Sequence, residues 1–173
     1  PVNRMIVTQS AVGAETADIR FHAPKTWAYL VAHAHLLDGR RSSIYRKRPR
    51  FSIFGVGDYT FAPYKVAISG FYKCLRFEVV PSYQGKPVVF DDTVYFLACQ
   101  SKDEAVLLAD ILNSDVAGAF YSAFVFWDAK RPITAEVLRR LDLGKLAEHL
   151  HRAHEFRRFG VAEGPAMKQH LLF

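Results

Sequence analysis

Three groups of residues have the side chains that chemistry needs. Asp91 and Asp92 offer paired carboxylates, which could hold a divalent cation or share acid and base work if both converged on one point. Adjacent residues entering a strand point to opposite faces, so the pair reads as a polar turn ahead of the run TVYFLA. His149, His151 and His154 stand at i, i+2 and i+5, a spacing that does not set three ligands on one helix face. Phe54-Gly55-Val56-Gly57 has the spelling of a glycine turn that cups a nucleotide or S-adenosylmethionine, because glycine lets the backbone approach a ligand closely. Such a turn leads from a strand into a helix, whereas Asp58 to Pro63 opposes a helix and a further β-rich run follows. A tight turn between strands is the better reading. The sequence has no Gly-x-Ser-x-Gly elbow, no P-loop and no His-Glu-x-x-His, so neither a catalytic residue nor a metal or cofactor site is predicted within this chain.

The remaining signal is charge. Of the net +6, the stretch from Arg40 to Lys73 carries +7 and the rest of the chain −1. Its eight cations are Arg40, Arg41, Arg46, Lys47, Arg48, Arg50, Lys65 and Lys73, against one acid, Asp58. Tyr45, Phe51, Phe54, Tyr59, Phe61, Tyr64, Phe71 and Tyr72 are interleaved with them. Cations neutralise phosphates and read guanine edges, and aromatic faces stack on bases. Taken singly, most of these aromatics are better read as members of a sheet core. The cluster RRSSIYRKRPR has no acid nearby to neutralise it and predicts nucleic-acid contact.

The elements that must position this segment follow from pattern. Arg4 to Thr8 and Asp18 to His22 have the spelling of strands around a turn at Gly13. Pro24 suits a first helical turn, and Trp27, Leu30, Val31 and Ala34 form the stripe of an amphipathic helix that Gly39 ends. FSIF, KVAIS, RFEVV, PVVF and TVYFLA are short β-rich runs between turn signals, predicting a mostly antiparallel sheet. Ser101 to Glu104 spells a capping box, continued by Ala105, Leu108, Ala109 and Leu112, so a helix is predicted from about Lys102 to Leu112. Asn113-Ser114-Asp115 breaks it and caps another, with Val116, Ala119, Phe120 and Ala123 inward. Pro132-Ile133-Thr134 opens a further helix burying Val137, Leu138 and Leu141, a more polar one covers Lys145 to Phe159, and GVAEGPAMKQHLLF reads as a loose tail.

At 173 residues, half of them apolar, the chain suits one folded domain with room for a terminal appendage. No run nears the roughly 18 apolar residues that span a bilayer, and the first residues lack the apolar segment of a secretory signal, so no membrane contact and a cytoplasmic setting are expected. Cys74 and Cys99 show no ligand pattern and are expected to be reduced, in or near strands. Pro1 stands where an initiator methionine is usual, which suggests a fragment boundary, with processing or tag removal as the alternatives.

IYRKRPRFSIFGVGDYTFAPYKVAISGFYK, followed in order by GKPVVFDDTVYFLAC, LLADILNS and FWDAKRPITAEVLRRLDL, resembles the C-terminal target-recognition region, the TaqI-like specificity domain, of adenine-N6 DNA methyltransferases from bacterial restriction-modification systems. KTWAYLVAHAHLLDGRRSSIY resembles the segment preceding it, and the resemblance runs from about Val2 to Leu143. It implies a DNA-specificity half at residues 1–143 with a C-terminal helix and tail at 144–173. The glycine motif and the Asn-Pro-Pro-Tyr or Asp-Pro-Pro-Tyr motif of the family's catalytic half are absent here. It further implies double-stranded DNA and a methyltransferase catalytic domain, in cis or in trans, as partners, and S-adenosylmethionine as cofactor of that catalytic domain. By position, the DNA-contact candidates are Arg40, Arg41, Tyr45, Arg46, Lys47, Arg48, Arg50, Lys65, Tyr72 and Lys73.

The expectation is therefore an α+β fold, a largely antiparallel sheet flanked by helices with a helical C-terminal part, serving sequence-specific DNA methylation without a catalytic centre of its own. Two other classes compete. One is a protein-interaction module that docks a modification enzyme. The other is a metal-dependent nuclease resting on Asp91 and Asp92.

Overall fold

Pro24 fixes φ for a first helical turn, and the computed structural model, which describes residues 3–160, begins a helix there. The chain divides into two compact units, Pro1–Asp58 and Tyr59–Phe173. In the first, a single turn α1 (Ile19–His22) precedes α2 (Pro24–Ala32) and α3 (Ala34–Asp38). The single helix expected up to Gly39 is thus two, because the backbone leaves helical geometry at His33, whose ring bonds back to the Tyr29 carbonyl at 2.9 Å. From the predicted stripe Leu30 and Ala34 are buried and Trp27 is partly buried, but Val31 is exposed. Phe51 completes this small core, meeting Trp27 edge-on with ring centroids 5.2 Å apart.

None of the strands predicted in this unit forms. Residues 18–22 instead close helical turns, with Ala23 N–H donating to Ile19 at 2.8 Å. Residues 4–8 and 51–54 stay irregular because side chains take the place of a ladder. Thr8 Oγ1 donates to the Phe51 carbonyl at 2.6 Å, and Gln9 Oε1 accepts from the Ile53 N–H at 2.9 Å. Buried backbone groups need partners, and here they find them without a neighbouring strand.

The second unit is built on β1 (Tyr64–Ser69), β2 (Glu78–Pro81) and β3 (Val94–Cys99), in the order β2-β1-β3 with both pairings antiparallel. KVAIS, RFEVV and TVYFLA thus mark the sheet. PVVF does not join it; Pro87 has no N–H to give a ladder, and Phe90 packs on Phe96 at 5.5 Å. Alternation along β3 sends Tyr95, Leu97 and Cys99 inward opposite Ile68, Val66 and Tyr64.

Against this face pack α4 (Lys102–Leu112), α5 (Asp115–Ser122), α6 (Ala135–Leu138), α7 (Leu143–His149) and α8 (Ala153–Arg158), whose apolar residues share one core with the strands. The α+β expectation holds, with helices filling the C-terminal part. Ser101 Oγ accepts from Glu104 N–H at 3.1 Å, and Glu104 reaches back to the Gln100 N–H at 2.7 Å, one residue beyond the usual capping-box partner. α5 turns a different face inward than expected: Ala117 and Tyr121 are buried while Val116, Ala119 and Ala123 are exposed. The Tyr121 hydroxyl, held by the Leu138 carbonyl at 3.2 Å, fixes that rotation.

The helix predicted from Pro132 is one turn, capped by Thr134 and burying Leu138. The last predicted helix is broken by His151, whose φ of 58° no helix accommodates, into α7 and α8. Leu146, Ala147 and Phe156, beyond Leu143, belong to the same core as the strands. The tail predicted after Gly160 lies outside the described residues.

Candidate nucleic-acid interface

After α3 the chain turns through a short 3-10 segment, Ser43–Tyr45, capped by the Ser42 side chain. The basic segment then folds back on the end of α3, because one side chain ties its parts together. Arg40 donates from Nε to the Leu37 carbonyl at 2.8 Å, from Nη1 to Ser52 at 2.6 Å and from Nη2 to Arg50 at 3.1 Å. Its guanidinium lies 3.8 Å above the centre of the Tyr45 ring. Arg40, Arg46, Arg48 and Arg50 thereby line one open recess, together with Ser42, Tyr45, Leu37 and Asp38.

Asp38 alters the charge picture. It accepts from Arg50 Nε at 3.0 Å and from Nη2 at 2.5 Å. The hydrogen bond from Arg50 holds the Asp38 carboxyl below the ordinary carboxylate range, and the same bond pushes Arg50 up. The expectation that nothing acidic neutralises the cluster is therefore corrected for Arg50. Arg41, Arg46, Lys47 and Arg48 are exposed, and no described residue offers their side chains a hydrogen bond or ion pair. Gly13 takes φ of 87°, which favours glycine, and the Arg48 guanidinium lies close beside it.

Lys65, Tyr72 and Lys73 belong to the second unit. Tyr72, 73% exposed, and Lys73 stand on the loop between β1 and β2. Lys65 is corrected as a DNA contact: it is 1% exposed, donates from Nζ to the Ala62 carbonyl at 2.9 Å, and lies 5.6 Å from the Phe96 ring centre. It sits on the central strand, which is buried on both faces over residues 65–68. Sequence reasoning passed over Arg131, whose guanidinium is 4.8 Å from the Phe71 ring centre and 3.5 Å from Asp92. It passed over Asp38 as well, two residues outside the basic stretch.

The other chemical candidates have structural work. Asp91 Oδ1 accepts from the Thr93 N–H at 2.9 Å and from its hydroxyl at 2.5 Å, the hydrogen bonds of a turn, and those bonds lower its pKa. His149 lies on α7 and His154 on α8, with His151 at the break between them. Gly55 takes φ of 69° in a turn whose expected flanking strand at 51–54 is missing. Among the described residues no three His, Cys, Asp or Glu side chains are grouped to hold a metal ion. Both cysteines are free; Cys74 is exposed on the loop between β1 and β2, and burial pushes the Cys99 thiol up to about 12. No described helix is long and apolar enough to cross a membrane.

No family model matches the chain, and no solved structure does. Over 144 residues, 83% of its length, the chain is 51% identical to the Type II methyltransferase M.NspV of Nostoc sp. (strain ATCC 29411 / PCC 7524). It spans 30% of the length of that relative. The chain is thus related in sequence to part of a Type II methyltransferase.

Proposed function

We propose that this chain is the DNA-binding target-recognition part of an adenine-specific DNA methyltransferase of a restriction-modification system. It chooses the duplex sequence, and a catalytic domain, in cis or in trans, methylates it with S-adenosylmethionine in the cytoplasm. The observation that carries this reading is a loop, fixed by Arg40, that presents Arg41, Arg46, Lys47 and Arg48 without internal partners in a chain half identical to part of a Type II methyltransferase. Unpaired cations on a rigid support are what phosphate contacts require, and each phosphate neutralised releases counterions. Tyr72 and Lys73, on the second unit, are further DNA-contact residues, and residues 1–143 carry the recognition role.

Titration of duplex DNA at several salt concentrations tests it. The log-log slope of affinity against salt is expected to be about −3 to −4 and to fall to about −1, the share left to Lys73, when Arg41, Arg46, Lys47 and Arg48 are all changed to Ala. Absence of binding by the parent chain, or a slope indifferent to the four changes, overturns the assignment. A second reading, a module that docks a modification enzyme, draws on Phe21, Tyr29 and Leu36, which are 67%, 55% and 64% exposed in the first unit. Mass measurement with a catalytic subunit, before and after Leu36→Glu, separates the two readings.

A further inference from the structure

The arginines of the basic loop are not equivalent. Arg40 points its three-pronged fork inward at the carbonyls of Leu37, Ser52 and Arg50 and covers the Tyr45 ring, so one side chain joins the end of α3, the 3-10 turn and the extended segment beyond Pro49. Arg50 is engaged by both oxygens of Asp38. Arg46 and Arg48 line the same recess with their guanidinium groups unengaged, and the Arg48 guanidinium lies close against the backbone of Gly13. With the Asp38 carboxylate taken up by Arg50, the recess keeps the charges of Arg40, Arg46 and Arg48 without an acid to match them, and a phosphodiester offers oxygen acceptors and a negative charge.

Building on the DNA-recognition reading above, we infer that this recess seats a single phosphodiester of duplex DNA between Arg46 and Arg48, with Arg40 a positioning residue that sets the loop and never touches the phosphate. The planar fork matters more than its charge, since a lysine cannot hold three carbonyls and lie flat on a tyrosine ring. The loop would therefore lose its shape with Arg40→Lys although its net charge is unchanged.

The test uses the whole chain with 15N-labelled arginine, a short mixed-sequence duplex and, separately, inorganic phosphate. On adding duplex, the Nε–H resonances of Arg46 and Arg48 are expected to move and that of Arg40 to stay. Arg46→Gln with Arg48→Gln lowers the magnitude of the salt slope by about 1, the contribution of one phosphate, and leaves amide exchange in residues 45–52 as it was. Arg40→Lys speeds that exchange in the free protein and weakens DNA binding as much as Arg40→Gln does.

Rescue of binding by Arg40→Lys, or a resonance of Arg40 that moves most, overturns the positioning role. An unchanged slope in the double variant, or resonances that answer to inorganic phosphate and not to duplex, overturns the seat. If the parent chain binds no duplex at all, the DNA-recognition reading falls, and this inference with it. Binding that persists with an unchanged slope removes this inference alone.

Discussion

The first unit is held by polar side chains and the second by an apolar core, and the contrast sets what each can tolerate. Among the described residues, twenty buried ones form the cluster shared by sheet and helices in the second unit, against three, Leu30, Ala34 and Phe51, in the first. Three residues cannot specify the path of a long irregular loop. Thr8, Gln9 and Arg40 supply the specification instead, by binding backbone groups of Arg50, Phe51, Ser52 and Ile53. Directional bonds fix geometry where packing has too few atoms to do so. A scaffold of this kind keeps a basic loop in one shape while leaving its remaining cations in water.

The largest effect expected from this difference falls on Phe51. It is 1% exposed and, among the described residues, is the one large side chain fully enclosed in the first unit's core. Phe51→Ala should cost about 3–5 kcal/mol, and with so few neighbours to share the loss, the basic loop should lose its exchange protection at the same time. Hydrogen exchange followed by mass spectrometry reads both. A loop that stays protected would mean that the polar clasps suffice without the apolar hub, and the contrast between the units would then be sharper than drawn.

A smaller effect tests whether polar clasps matter in the second unit as well. Asn113 copies a neighbouring strand, accepting from the Phe77 N–H at 2.9 Å and donating to the Phe77 carbonyl at 2.8 Å. Asn113→Ala leaves both groups of a buried residue without that partner and should cost about 1–3 kcal/mol by denaturant unfolding. Asn113→Asp keeps the acceptor but sets a carboxylate oxygen against the Phe77 carbonyl, so it should cost at least as much as Asn113→Ala. A cost near zero would place all of the second unit's stability in its apolar core.

Much of the second unit was legible because its signals are local. The β-branched runs of β1 and β3, the Ser101 cap and the spacing of Ala105, Leu108, Ala109 and Leu112 each lie within one element. Asn113 was legible only as a helix stop; its pairing with Phe77, 36 residues away, was not. The strands expected in the first unit do not form, for the same reason. Residues 51–54 have the spelling of a strand, but a strand needs a partner, and the partners here are side chains of Thr8 and Gln9 about 43 residues upstream. Composition located the basic loop without distinguishing its arginines, since the carbonyls that engage Arg40 and the carboxylate that engages Arg50 are set by the fold.

Lys65 marks the limit of reading charge as surface, and it gives the smallest effect. A lysine on a central strand, between an aromatic ring and a single carbonyl, is penalised for its charge, and burial lowers its pKa from the ordinary lysine value. The unfolded chain then holds this proton more firmly than the folded one. Between the lowered folded value and the unfolded value of about 10.4, the unfolded state binds more protons, so stability rises with pH across that window. Below the window both states are charged and the penalty is present in full. Lys65→Met should remove this rise, seen as a flatter curve of unfolding free energy against alkaline pH, with a small net change at neutrality because the Ala62 carbonyl loses its donor. The same variant should leave the salt slope of DNA binding untouched. A slope lowered by about 1 would return Lys65 to the DNA surface and would mean that the second unit opens its central strand to bind.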